Sequence, residues 1–202
     1  LAREAMLRFL PDREPRRYLY DLIAEYPRRG GRGMRPALHI ASARAHGASV
    51  EQAIDTAASL ELLHNALLVI DDIQDGSRER RGRPTLHRAH GLPIALNAGS
   101  AMSVLSLVPL LGNVERSGPH VAYWIFQRAI RVAQASAEGQ AMELGWRLEN
   151  RLDVTPAEYL DMILKKTCAY STIYPVEAGA VVGRQVRHPR SAVTRFGFFL
   201  GA

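Results

Sequence analysis

The chain has 202 residues, 47% of them hydrophobic, and a formal charge of +6. This allows one domain with a substantial core, and there is no internal repeat or low-complexity tract. Only Lys165 and Lys166 are lysines, so arginine is the general surface cation; the basic residues are spread along the chain without an aromatic-interleaved patch, which argues against nucleic acid as a partner.

Helices are expected over residues 1–10 and 16–26, parted by a proline-bounded break at 11–15. A Gly/Arg loop occupies 27–36. Helices over 37–46 and 50–71 are separated by Gly47-Ala48-Ser49, and a basic loop with a short helix spans 78–91. Further helices are expected over 93–111, 119–150, 156–167 and 174–182. Pro93, Pro119 and Pro156 stand where a helix's first turn tolerates proline. Thr155, just ahead of Pro156 and Glu158, strengthens the last of those starts. Strand-like alternation is nearly absent, so an all-α bundle is the expected fold class.

Residues 92–114 carry no charge and approach the length of a membrane span. Asn97, Ser100, Ser103, Ser106 and Pro109 punctuate that run, so the expectation is a buried central helix and no membrane span. The single Cys168 excludes an internal disulfide and fits a reducing cytoplasm. Arg3, Glu4 and Arg8 interrupt the opening segment, which is unlike a signal peptide. The chain starts at Leu1 and stops at Gly201-Ala202, right after the apolar run 196–200. Helix cores rarely end uncapped, so residues 1–202 are expected to form one domain that is incomplete at its C-terminus.

Chemistry concentrates at the end of the helix over 50–71. Asp71-Asp72-Ile73-Gln74-Asp75 closes its apolar run, and Arg80-Arg81-Gly82 follows. On a helix Asp71 and Asp75 share a face, about 6 Å apart along the axis. Carboxylates that close repel unless cations lie between them, and the two arginines imply an arriving anion. The combination describes a magnesium-diphosphate site. A solvated acidic helix end is the plain alternative, but the helix dipole disfavours acids at a C-terminus. Arg80 and Arg81, being neighbours, point in different directions and would serve two anions, whereas Arg78, Arg83 and Arg88 read as a solvated basic loop.

Two arginines, Arg32 and Arg35, lie in Gly30-Gly31-Arg32-Gly33-Met34-Arg35-Pro36, where glycines allow close backbone approach to a phosphate and guanidiniums grip it. His64 lies two turns before Asp71 on the same face. It would either donate to a second diphosphate or sit as a satisfied core histidine. Gly139-Gln140-Ala141-Met142-Glu143 and Lys165-Lys166-Thr167 add polar groups on two further helices.

In this order the motifs resemble the trans-isoprenyl diphosphate synthases, the polyprenyl synthetase family, from Gly30 to Ala202, and most of all the geranylgeranyl diphosphate synthases. Residues 61–75 are similar to that family's first aspartate-rich helix and 80–87 to the loop after it. Gly139-Gln140, Trp146, Asn150 and Lys166-Thr167 also fall where that group has them. The resemblance implies an isoprenoid-synthase-type helical bundle with a central active-site cavity, joining an allylic diphosphate to isopentenyl diphosphate. It implies Mg2+ held by Asp71, Asp72 and Asp75, with Arg80 clamping the allylic diphosphate. Arg32, Arg35, His64 and Arg81 would hold isopentenyl diphosphate, and Lys166, Thr167 and Gln140 would favour the departing diphosphate. Leu67 and Ala66, with Leu63 a turn deeper, would form the floor that stops the growing tail. None is aromatic, so geranylgeranyl diphosphate is the expected product, with a homodimer in the cytoplasm as the working form.

There are departures from the family pattern. Gly33 replaces a basic residue, Arg32 a lysine, Glu143 an aspartate and Cys168 a glycine. A second aspartate-rich motif is expected shortly after Ala202, so this chain by itself is expected to be inactive. A class I terpene cyclase on the same scaffold stays open because of Gly33 and Cys168. A non-catalytic regulatory subunit is the third reading, and the intact acids and arginines argue against it.

Overall fold

Helices carry nearly all of the regular structure, as the lack of alternation predicts. The computed structural model describes residues 1–183 and 192–201; residues 184–191 and Ala202, part of the stretch over which the resemblance was expected, lie outside it. In chain order the elements are α1 (Ala2–Arg8), a π-turn (Arg16–Tyr20), α2 (Asp21–Arg28), α3 (Met34–Ala45), α4 (Val50–Gln74), strands β1 (Glu79–Arg80) and β2 (Arg83–Pro84), α5 (Leu86–His90) and α6 (Leu92–Leu105). A 3-10 turn (Val108–Gly112) and α7 (Asn113–Ser117) lead to α8 (Pro119–Leu148), α9 (Pro156–Ile163), a π-helix (Leu164–Ile173), α10 (Tyr174–Val182) and α11 (Ala192–Gly201). Packing divides the chain into two units, Leu1–Pro36 with Ile54–Asn113, and Ala37–Ala53 with Val114–Ala202.

The first unit is built on α4. Ala58, Leu62, Ala66 and Val69 recur at helical spacing and are all buried, in one cluster with Met6 of α1, Leu22, Ile23 and Tyr26 of α2, and Ala95, Ala98 and Met102 of α6. Each large apolar side chain sunk there contributes about 1.5–3 kcal/mol. Gly99 lets α6 come close to α4, since a Cβ on it would stand 3.1 Å from Ile70 and 3.2 Å from Val69.

The helix expected over 93–111 is shorter than that. α6 ends at Leu105, where the hydroxyls of Ser103 and Ser106 donate back to the carbonyls of Gly99 and Ser103 (3.0 and 2.6 Å). Pro109, having no N–H, then holds the chain in the 3-10 turn. Nor is this stretch a buried central helix: Ala95, Ala98, Gly99 and Met102 face inward, but Leu92, Leu96, Val104, Val108 and Leu111 are exposed, Val104 at 69% and Leu111 at 64%. Two stretches, Val50–Gln74 and Leu92–Ser117, are long and apolar enough to cross a membrane by composition. The first is 67% buried in its apolar window, as a core helix is, and the second 39%.

In the second unit α8 turns Ala122, Ile125, Ala129, Val132, Ser136 and Gly139 inward along one stripe. Tyr174 at the head of α10 donates its hydroxyl to the Ile125 carbonyl at 3.2 Å, and Arg128 of α8 pairs with Glu177 of α10 at 2.8 Å. His39 is wholly buried with Nδ1 3.1 Å from the Pro175 carbonyl; burial lowers its pKa to about 4, so it is neutral at neutral pH. The start of α9 is a full capping box between Thr155 and Glu158, as the sequence suggested. The helix expected over 156–167 ends as an α-helix at Ile163: from Leu164 to Ile173 the chain runs on in the wider π register. α10 has the expected bounds.

Candidate active site

The aspartate-rich end of α4 presents its three acids to different surroundings. The helix stops at Gln74, yet the Asp75 N–H still reaches the Asp71 carbonyl at 2.8 Å, so the two acids remain one turn apart. Asp75 is exposed and the Asp71 side chain is 30% exposed. The Asp72 side chain, expected beside them, is 1% exposed and turned into the protein. Tyr26 donates its hydroxyl to Asp72 Oδ2 at 2.6 Å, and Arg80 donates to Asp72 Oδ1 through Nε at 3.0 Å and also through Nη2. Burial, then the bond to Asp72 and its charge, push the Tyr26 hydroxyl well above its ordinary pKa. The phenol is therefore a proton donor throughout the physiological range.

A short hairpin puts the arginines in place. Residues 79–84 form a two-pair antiparallel hairpin, Glu79 against Pro84 and Arg80 against Arg83. Its two-residue loop, Arg81-Gly82, has φ of +56° and +72°. Positive φ at both loop positions is the geometry whose twist suits a tight hairpin. Arg80 and Arg81 consequently meet different protein groups, in keeping with the different directions expected of neighbours. Arg80 meets Asp72 and lies 3.9 Å from Asp71. Arg81 Nη1 donates to the Tyr26 carbonyl at 3.1 Å and to Asn65 Oδ1 at 3.4 Å. Gly31 clears the way for it, because a Cβ there would stand 2.9 Å from Arg81 Nη2.

His64 lies deeper on α4, partly buried. Burial lowers its pKa to about 3, with Arg35, Arg81 and Arg80 adding to the effect in that order. Three guanidiniums thus act on one neutral imidazole, a field that favours an anion. Arg35 opens α3 half-buried, and Arg32 is exposed on the glycine loop before it. Leu63 and Leu67 lie on the partly exposed side of α4, whereas Ala66 is fully buried in the core cluster.

The remaining polar candidates belong to the second unit. Lys166 contacts Glu143 of α8, and the neighbouring Lys165 pairs with Asp161 at 2.8 Å. Gly139 makes this close approach possible, since a Cβ on it would sit 2.8 Å from Lys166 Cα. Lys166 and Thr167 open the π-helix, a register often found at functional sites. Cys168 is buried as a free thiol, and burial raises its pKa.

Among the described residues, no three His, Cys, Asp or Glu side chains stand together as a ready metal cage. Asp71 and Asp75 still suit magnesium, which takes one or two protein carboxylates and fills its remaining positions with phosphate oxygens and water. Sequence reasoning missed Tyr26, Arg29 and Asn65 around the arginines. Only the Arg81-Gly82 pair, with glycine at a turn position, carried a signal for the hairpin.

The family model described as Polyprenyl synthetase matches residues 16–202. The chain is 34% identical over 172 residues to a geranylgeranyl diphosphate synthase of Saccharolobus solfataricus, covering 85% of this chain and 51% of that protein. It is 37% identical over 175 residues to a (2E,6E)-farnesyl diphosphate synthase of Mycobacterium tuberculosis, covering 85% of this chain and 46% of that one. The crystal structure of geranylgeranyl pyrophosphate synthetase from Pyrococcus horikoshii superposes with a TM-score of 0.89 at 29% identity, over 99% of this chain and 59% of the other. The chain thus spans about half the length of the curated relatives it matches.

Proposed function

The chain belongs to the polyprenyl synthetase family and has its all-α isoprenoid-synthase fold, and on that premise we propose that the protein is a prenyltransferase extending an allylic diphosphate with isopentenyl diphosphate. The product is a longer linear isoprenyl diphosphate, geranylgeranyl diphosphate first. The observation that carries this reading is the joint placement, within one unit, of the Asp71 carboxylate beside Arg80, with Asp75 one turn on from Asp71 and Arg81 turned to different protein groups.

Asp71 and Asp75 would hold Mg2+, which when bound offsets the negative charge that develops on a leaving diphosphate. Arg80 grips that allylic diphosphate, while Arg32, Arg35, Arg81 and His64 take isopentenyl diphosphate. His64, neutral in the substrate-free protein, offers a hydrogen bond without a charge. The allylic C–O bond breaks with its electron pair leaving on the diphosphate. The alkene of isopentenyl diphosphate attacks the allylic cation, a C–C bond forms, and a proton departs to the released diphosphate. Fixed guanidiniums aimed at the departing anion lower this barrier because they need no reorientation. The roles of Gln140, Lys166 and Thr167 in favouring that departure rest on the motif alone. Leu67, with Leu63 a turn deeper and Ala66 on the core side of the same helix, supplies the tail floor; none is aromatic, which favours a longer tail.

The complete protein, given Mg2+, isopentenyl diphosphate and farnesyl diphosphate, is expected to yield a longer linear diphosphate detectable by mass spectrometry. A hydrocarbon made from geranylgeranyl diphosphate alone would overturn elongation in favour of cyclisation.

The same reading includes a homodimer in the cytoplasm. The exposed apolar face of α6 and the following turn, from Leu92 to Leu111, supports it. Val104→Glu places a charge in the middle of that face and is expected to convert a dimeric mass in light scattering to a monomeric one. A dimer that persists unchanged removes this face from the interface.

A further inference from the structure

Tyr26 is the point where both arginines and the buried aspartate are tied together. Its residue is fully buried in the first unit's core. The hydroxyl donates to Asp72 at 2.6 Å and accepts from the Leu86 N–H at 3.4 Å. Its backbone carbonyl accepts from Arg81 at 3.1 Å. The Arg29 guanidinium lies over its ring, 4.6 Å from the centroid, and Arg29 also donates to the Arg80 carbonyl at 3.4 Å. A phenol in a core costs more than a phenyl ring unless its hydroxyl is satisfied, and here its donor is given to the carboxylate that holds Arg80.

We propose that Tyr26 is a positioning residue for the allylic diphosphate, acting through Asp72 to fix the Arg80 guanidinium, and that Asp72 serves as this holder rather than as a metal ligand. This rests on the prenyltransferase reading. Asp72 takes the Nε–Nη2 edge of Arg80, which leaves the remaining edge of the planar fork to meet a diphosphate oxygen. The Tyr26 hydroxyl occupies the carboxylate's other oxygen and stops it from rotating. Because the donor is neutral, it orients Asp72 without competing with Arg80 for its charge. The side chain of Tyr26 thus governs the allylic half alone, while the Arg81 half depends on its carbonyl.

That separation makes the inference testable with Tyr26→Phe in the complete protein. The ring and its stack on Arg29 remain, so the melting temperature is expected to stay within a few degrees. KM for the allylic diphosphate should rise roughly tenfold, the scale of one hydrogen bond to a charged group, while KM for isopentenyl diphosphate changes less than about twofold. The magnesium-dependent part of inorganic pyrophosphate binding, read by calorimetry, should weaken by a similar factor. On an Arg80→Ala background the substitution should add little, because Tyr26 acts through Arg80. Asp72→Asn, which keeps the shape, should give the same one-sided loss. Equal losses for both substrates, unchanged pyrophosphate affinity, or full additivity with Arg80→Ala would each overturn the assignment. If the unaltered protein condenses no substrate, the prenyltransferase reading falls, and the pyrophosphate titration still decides the role of Tyr26.

Discussion

Asp71→Ala is expected to cut condensation by at least about 10²–10³-fold, the scale seen when a group stabilising transition-state charge is removed, with no loss of thermal stability. Both halves of this expectation come from the position of Asp71. It sits in the last turn of α4 with a partly exposed side chain, where the helix dipole makes a carboxylate unfavourable by about 0.3–1 kcal/mol. The fold gains little from the acid, whose ion pair with Arg80 is long at 3.9 Å and partly exposed. Asp72 provides the contrast. Its buried carboxylate is tied to Arg80 and Tyr26, so truncating it strands the buried Tyr26 hydroxyl, removes the partner of the partly exposed Arg80 guanidinium and lowers stability as well. Steady-state turnover in excess Mg2+ beside a circular-dichroism melt separates the two. Turnover of Asp71→Ala above a tenth of the starting rate would remove Asp71 from the metal site.

Gly139→Val is expected to be the most damaging single change in the second unit, costing about 3 kcal/mol in urea unfolding. In an isolated helix this substitution would be slightly favourable, since glycine is the poorer helix former by a few tenths of a kcal/mol. Packing reverses the sign. Even a bare Cβ at this position would press on the backbone of Lys166, and backbone cannot rotate away as a flexible side chain can. α8 and the π-helix would have to separate, at the level where Glu143 meets Lys166, so activity should fall with stability. An unfolding midpoint that is unchanged or raised would refute the close approach.

The helices were legible because their signals are local. The capping box at Thr155 and the prolines at 119 and 156 mark starts through chemistry within one turn, and α10 followed from its apolar run. The faces of α4 were legible through its period, which placed Asp71, Asp75 and His64 correctly on one side. The π register of residues 164–173 was not, because an i→i+5 ladder leaves no compositional mark. The exposure of α6 was not either, since an uncharged helix reads the same whether it is covered or not. Ala66 and Leu67 are neighbours in sequence yet 100° apart around the helix, and only packing says which one enters the core. Tyr26 escaped notice because its partner Asp72 is 46 residues away, and a lone tyrosine in an apolar segment carries no sign of what its hydroxyl will meet.

The hairpin at 79–84 turns the length of its own segment into a ruler. β1 ends at Arg80 and the turn begins at Arg81, so moving the turn by one residue would re-aim both guanidiniums. Arg81 also holds a left-handed conformation that a non-glycine residue adopts only at a cost of about 1 kcal/mol or more. The distance from Asp75 to Arg80 is therefore a sharper constraint on related sequences than the identity of the residues between. Substitutions at Ser77 or Arg78 can be absorbed, whereas inserting or deleting a single residue there is expected to draw both guanidiniums away from Asp72 and from the Tyr26 carbonyl.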